Sequence, residues 1–478
     1  MSSSPSQSQP GFAKPSDTEV QAMVRELLPR SEVQGWVRAA GKKLYWRLLT
    51  PLVLLWGLIY QRLAPDHTCD EVVSHLRAGG ADHIDPADAD PTPLSQRLRS
   101  ESTSAYVQGR NRLPLAVLQS ALRHVYQIVR GWLRPDEQRW KGHAVRWLDG
   151  TTMRLRPVGD LAETYGQAKN QHGVCYWVVV RVVAAFCLHS EAVVGAVEAS
   201  PTTSEAALVR EVMKQDPDPE SIYIGDQGLG VYRVAQVGAA LGHPVVLRVG
   251  AGTAKKLWQT RAGRKPLVNG SEHWVQWVPE ASTKVDPELP REPVPGRLLY
   301  VRIERDGFRP VDLYLFTTLL EAEVYPLAEV CALYGQRWQV EIDLRQIKTT
   351  LEMEQFEVKS AALFRKELIA GLLTYNLIRA YMVQAALQAG IEVRQLSFSR
   401  CWRRLRQALT QGFPAWVRAQ GHEMEHLLTR LAQCTLPQQR NKVRCEPLKV
   451  RRKPAVFPQL RGSRADARKE VLKTLAAG

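Results

Sequence analysis

Ala144-Val-Arg-Trp-Leu-Asp149 and Ser221-Ile-Tyr-Ile-Gly-Asp226 are short apolar runs that each close on an acid beside a glycine-containing turn. Runs of this length, bounded by turn residues, read as strands. Between them, Trp177–Leu188 (WVVVRVVAAFCL) is a long β-branched strand and Ala192–Ala199 another. Ser204–Lys214 follows as a helix, with Thr203 or Ser204 as N-cap and Glu205 as an acid in the first turn. Val231–Leu241 reads as a helix and Pro244–Val249 (PVVLRV) as a fifth strand. Three strands in hairpin-like succession, then strand–helix alternation, predict an α/β fold: a mixed sheet with helices on its faces.

Working outward, residues 251–310 interrupt this rhythm. His273–Val278 and Leu298–Glu304 look like strands joined by a proline-rich loop, and the segment reads as a mainly β insertion. Val311–Leu319 returns to strand, and helices are expected over Leu327–Leu351 and Ala361–Ala389. The sheet-and-helix core is thus 141–250 with 311–390. Before it, apolar residues at spacings of three and four predict a helical N-terminal domain over 18–140, interrupted at Gly79–Pro93. Residues 1–17, rich in Ser, Gln and Pro, suit a disordered lead-in. Residues 391–478 read as a basic helical region and tail, with 11 Lys/Arg against 3 Asp/Glu between Arg440 and Glu470.

Charge narrows the partners. The chain has 64 Lys and Arg against 48 Asp and Glu, a net +16, and a polyanion gains counterion-release free energy on binding such a surface. Nucleic acid leads. A membrane does not, because the most apolar run, Leu48–Leu63, contains Pro51, Gly57, Gln61 and Arg62 and is shorter than the roughly 20 residues needed to span a bilayer. It reads as a buried helix. No positively charged start precedes an apolar stretch at the N-terminus, and the seven cysteines are scattered without a C-x-x-C pair, as expected of reduced thiols in the cytoplasm.

Chemistry concentrates in Tyr334-Gly-Gln-Arg337-Trp-Gln-Val-Glu341-Ile-Asp-Leu-Arg-Gln-Ile-Lys348. On one continuous helix, with Tyr334 at zero, Arg337, Glu341 and Lys348 fall near 300°, 340° and 320°, and so share a stripe. Leu333, Val340, Leu344, Ile347 and Leu351 make an apolar stripe beside it at roughly 220–280°. A carboxylate, two cations and a phenol on one edge suit a phosphate-and-metal site. The plain alternative is a solvated face with an ordinary i, i+4 ion pair of about 0.3–0.5 kcal/mol. Asp149 and Asp226 change the balance. Acids at strand ends sit where ligands bind, and two of them with a helix-borne glutamate can hold a pair of Mg²⁺ ions.

The Y-(2)-R-(3)-E-(6)-K spacing is similar to the signature of the insertion-sequence-4 family of bacterial DDE transposases, matched by Tyr334, Arg337, Glu341 and Lys348. Asp149-Gly-Thr-Thr and Ile224-Gly-Asp226 resemble that family's first and second catalytic acids. Leu315-Phe-Thr-Thr-Leu319, Tyr325-Pro326 and the N-terminal Ala105-Tyr106 and Arg110-Asn-Arg112-Leu-Pro114 segments resemble family sequence as well, over about residues 30–460. Gln227 departs from it, since many relatives carry Arg after the second acid. The resemblance implies a ribonuclease-H-like core and catalysis by Asp149, Asp226 and Glu341 on two Mg²⁺ (Mn²⁺ substituting). It also implies phosphate contacts from Tyr334, Arg337 and Lys348. The implied substrates are double-stranded DNA with terminal inverted repeats and a target DNA, handled by a homodimer in a cut-and-paste route. Relatives with this insertion release their ends as DNA hairpins while a Trp stacks on a flipped base, which makes Trp258, Trp274 and Trp277 candidates against the plainer reading of core packing. A catalytically silent DNA-binding protein and a stand-alone metal nuclease fit the same residues, and strand joining separates them. His172 and His189 lack metal-ligand spacing and read as structural. Arg400–Arg406 is either a DNA-facing or a solvated basic face, and Arg451-Arg-Lys453 reads as a phosphate-contacting arm.

Overall fold

A computed structural model describes residues 20–476 except 45–46, 65, 86–91, 134–138, 168, 171–172, 263–266, 305–309 and 437–462. The expectations for residues 1–17, His172 and Arg451–Lys453 lie outside the described residues. Val145–Leu155 (β1) pairs antiparallel along its length with the valine-rich Val178–Cys187 (β2), which pairs antiparallel with Val193–Ala199 (β3). On the other edge of β1, Ile222–Gly225 (β4) and then Val245–Arg248 (β5) run parallel to it. The order β3-β2-β1-β4-β5 is the expected ribonuclease-H-like core. Its parallel strands are apolar because helices cover both faces.

Three expectations need correction. The first strand does not stop at Gly150. Antiparallel pairing with β2 carries it on to Leu155, so Asp149 lies within the strand. The segment 251–310 opens with a helix, Ala251–Ala262, and its strands make no separate sheet. Ser271–Trp277 (β6) and Val294–Ile303 (β7), with Val311–Thr317 (β8), extend the same sheet beyond β5 in the order β5-β8-β7-β6. Finally, the helix expected over 327–351 is three pieces: Leu327–Gly335, Trp338–Arg345 and a π turn over Gln346–Thr350.

Pro51–Leu63 starts with Pro at its first turn behind Thr50, whose hydroxyl accepts the Val53 N–H at 3.3 Å, and all of it is buried. Its two polar residues are satisfied. Arg62 pairs with Glu367 at 2.5 Å, and Gln61 accepts from Tyr106 at 3.2 Å. Arg110 reaches the second Glu367 oxygen at 3.0 Å. Among the described residues no helix is long and apolar enough to cross a membrane. Glu367 belongs to the central helix Ala361–Ala389, capped by Ser360 at one end and by Gly390 at φ 64 at the other. This helix packs on Pro51–Leu63 and on Leu115–Gly131.

The chain divides into two units: Met1–Tyr300 with Tyr314–Pro437, and Val301–Leu313 with Gln438–Gly478. In the second, Arg302 pairs with Glu304 at 2.7 Å and Arg464–Ala476 is helical.

Candidate active site

Strand register brings the two aspartates together. Val145 pairs with Ile222 and Trp147 with Ile224, and just past these pairs Asp149 and Asp226 come close enough for the Asp226 charge to act on Asp149. In the next pair of strands Tyr223 lies opposite Val245 and Gly225 opposite Leu247; Asp226 and Arg248 follow these pairs, and the charges of both reach Tyr334. β1 keeps β4 as a neighbour only to Trp147 and gains Gln355–Phe356 (β9) at Arg154. The seam between these two partners opens at Asp149, and Trp338–Arg345 packs against β1.

Each aspartate has one oxygen held by backbone. Asp149 Oδ1 accepts the Gly150 N–H at 2.8 Å, and Asp226 Oδ1 accepts those of Gly228 at 2.9 Å and Leu229 at 3.1 Å. Burial pushes the Asp149 carboxyl up to about 6, opposed by the Gly150 N–H and Arg337 and reinforced by the charges of Asp226 and Glu205. Glu205 was legible only as a first-turn acid. Its carboxylate lies against Gly150, where an added Cβ would come within 2.4 Å of it, so the glycine leaves room for a further acid beside Asp149. Arg248, whose charge reaches Tyr334, was also missed, because nothing in a valine-rich strand marks its last residue as near the site.

The helix break regroups the signature residues. The Arg337 N–H bonds the Tyr334 carbonyl at 3.0 Å and the Val340 N–H that of Arg337 at 3.0 Å, three-residue spacings that tighten the chain after Gly335. Arg337 reaches Glu341 at 2.8 Å and hydrogen-bonds the Tyr334 hydroxyl. Burial alone would lower the Arg337 pKa, but Glu341, Tyr334 and Asp149 hold it above its usual value. Burial raises the Tyr334 phenol, with Arg337 and Arg248 opposing and Asp226 reinforcing. Tyr334, Arg337 and Glu341 are therefore grouped with the aspartate pair. Lys348 sits in the π turn, and its charge reaches Glu354, which Arg154 engages. The α spacing that Tyr334, Arg337 and Glu341 share thus changes to π spacing before Lys348.

Trp274 and Trp277 fall on opposite faces of β6, as their spacing requires. Trp277 is buried against Phe316, ring centroids 4.8 Å apart, whereas Trp274 is 50% exposed. Trp258 is buried, with its ring 3.7 Å from that of His273. A cleft of about 830 Å³, lined by Glu205, Gly228, Tyr232, Lys256 and Trp277 among others, runs from the loop after Asp226 to the insertion. On Phe398–Gln411, Arg403 and Arg404 are exposed and Arg406 lies over the Trp402 ring at 4.5 Å. Among the described residues no three His, Cys, Asp or Glu side chains stand close enough together to hold a metal ion, Glu341 being turned to Arg337. The aspartate pair suits a cation, since two neighbouring half-buried carboxylates repel one another and each keeps one oxygen free of the backbone N–H groups.

A model of the transposase DDE domain family matches residues 140–377, which contain all of these acids. The chain is 27% identical over 318 residues, 64% of its own length and 67% of the relative's, to the transposase InsG for insertion sequence element IS4 of Escherichia coli (strain K12). In structure it is similar to a piggyBac transposase synaptic complex with hairpin DNA, with a TM-score of 0.41, 9% identity and 86% of each chain covered.

Proposed function

The chain belongs to the DDE transposases of the insertion-sequence-4 type, DNA-cleaving and strand-transferring enzymes that use divalent metal ions, and from that premise we propose how its residues share the work. Asp149 and Asp226 would hold Mg²⁺ at the open seam, with Glu341 as the third acid once Arg337 is engaged by a DNA phosphate. The observation that carries this reading is the closeness of the two acids, both just past the last β1–β4 pair, with Asp149 pushed up to about 6 by burial and reinforced by the charge of Asp226. Two bound ions would activate the attacking water or 3′-hydroxyl and offset the charge of the leaving oxygen.

Arg337 is prepared for that exchange. It is charged at any working pH, planar, and steadied by the Tyr334 hydroxyl, so it can take two phosphate oxygens in place of the Glu341 carboxylate. Arg248, beside Asp226, supplies a cation that Gln227 cannot. Lys348 serves phosphate farther along the strand, where Arg154 and Glu354 lie. The substrates are the element's terminal inverted repeats and a target duplex, bound by a homodimer on the bacterial nucleoid. Cleaved ends pass through hairpins, with Trp274 as the stacking face.

The test uses end-labelled duplex carrying the inverted repeat that flanks the reading frame. Asp149→Ala, Asp226→Ala and Glu341→Ala should each abolish nicking in Mg²⁺ while leaving gel-shift affinity within about threefold, because phosphate contacts elsewhere dominate binding. Full cleavage by Glu341→Ala would remove it from the site.

A further inference from the structure

Glu367, Gly371, Tyr375 and Arg379 are spaced by four along Ala361–Ala389 and so form one ridge of that helix. Each position on the ridge receives a different part of the molecule. Glu367 takes Arg62 and Arg110 of the N-terminal helices. Gly371 receives Met353, whose Sδ lies 2.4 Å from where a Cβ would stand. Arg379, 1% exposed, receives the piece of chain that carries Glu341.

Its guanidinium works in two directions. Toward the Glu341 helix, Nη2 donates to Asp343 Oδ1 at 2.9 Å and to Gln346 Oε1 at 2.7 Å, and so spans the junction where that helix passes into the π turn. Toward the sheet, Nη1 pairs with Glu191 in the turn joining β2 to β3, and Nε donates to the Tyr375 hydroxyl at 2.9 Å. Phe398 covers the guanidinium at 5.0 Å. Glu191 holds this place at φ 57, a left-handed backbone that costs a residue with a Cβ about 1–2 kcal/mol, and glycine would take it without strain. A carboxylate retained at a position that favours glycine points to a requirement for its charge. Asn376 docks the same helix on the sheet independently, accepting the Val193 N–H at 2.7 Å and donating to its carbonyl at 2.9 Å.

We propose that Arg379 is a positioning residue for cleavage: by tying Asp343 and Gln346 to Glu191, it fixes the height of Glu341 over the aspartate pair. The proposal rests on Glu341 being a metal ligand. A π turn adds a residue to the helical ladder and leaves its register soft. A guanidinium bonded on both sides of the junction removes that freedom. Groups that orient a ligand in this way, when replaced, typically cost 10–100-fold in metal affinity or activity.

The experiment measures Mn²⁺ binding by the full chain from the loss of the free-ion electron paramagnetic resonance signal, with terminal-repeat duplex present, beside nicking rate and thermal unfolding. Arg379→Lys, a point charge that cannot serve four partners, should weaken Mn²⁺ binding about tenfold, with the nicking rate recovering at high Mn²⁺. Asn376→Ala should lower the melting temperature yet leave Mn²⁺ binding within about twofold. Gln346→Ala, which keeps the ion pairs, should weaken Mn²⁺ binding by a smaller factor and serves if Arg379→Lys does not fold. Equal loss of Mn²⁺ binding in Asn376→Ala, or none in Arg379→Lys or Gln346→Ala, overturns the proposal. Glu341→Ala separates the two levels: if it binds Mn²⁺ as the parent does, the reading of the site fails, not the positioning role alone.

Discussion

Asp149 shows how one residue's surroundings set its chemistry. A solvated aspartate is ionised throughout the neutral range, whereas this one, desolvated and next to Asp226, is pushed up to about 6. Only the ionised carboxylate ligates metal, so protons compete with the cation below that value. Mn²⁺ affinity should therefore be nearly constant between pH 7 and 8 and fall about tenfold per unit below pH 6, as calorimetry would register. A flat profile from pH 5 to pH 8 would show that burial does not control this acid. Arg337 is the counterpart. Its bond to Glu341 is a partly buried i, i+4 pair, and a DNA phosphate offers the same guanidinium two charged oxygens in exchange.

Elements set which residues can act. On β6 the alternation of faces commits Trp277 to the core and leaves Trp274 half exposed. Base stacking on an aromatic face contributes about 1–3 kcal/mol, comparable to the cost of extruding one base. Trp274→Ala should therefore permit first-strand nicking but sharply reduce the hairpin product on a denaturing gel of end-labelled DNA. Trp277→Ala should cost about 3–5 kcal/mol of stability without shifting the ratio of nick to hairpin. Unchanged hairpin yield in Trp274→Ala would make the insertion purely structural. The central helix makes a second element-level claim. Removing the Glu367 carboxylate strands Arg62 and Arg110 in a buried setting, so Glu367→Ala should destabilise by about 3–5 kcal/mol in urea unfolding. A loss below about 1 kcal/mol would mean that water compensates both cations.

The molecule as a whole is a cation. Its net +16 is uneven, with 11 Lys/Arg against 3 Asp/Glu between Arg440 and Glu470. Each phosphate neutralised releases counterions, so affinity for terminal DNA should fall linearly in log–log form as salt rises, with a slope of about 0.9 per phosphate contact. Deleting residues 440–478 should flatten that slope by several units in a gel-shift titration. An unchanged slope would place the DNA contacts elsewhere, Arg403 and Arg404 being the exposed alternatives.

Much of this was legible without coordinates. β-branched side chains lose rotamer freedom in a helix and pack well on a pleated sheet, so the order of strands and helices from Val145 to Arg248 follows from local chemistry, as does the Tyr334–Lys348 spacing. Gln61 and Arg62 inside an apolar run already argued for a buried helix, although not for Glu367 as the partner that makes it affordable, since 305 residues separate Arg62 from that acid. Tertiary structure decided what depends on pairing and on departures from ideal geometry. β2 carried the first strand past Gly150, because antiparallel partners extend together whatever the local turn signal. Parallel pairing of the strands that precede them brought Asp149, Asp226 and Arg248 to one end of the sheet. The turn at Arg337 and the π turn at Gln346 divide what the sequence offered as one helix, because a helical wheel assumes a uniform 100° per residue that a π turn does not keep.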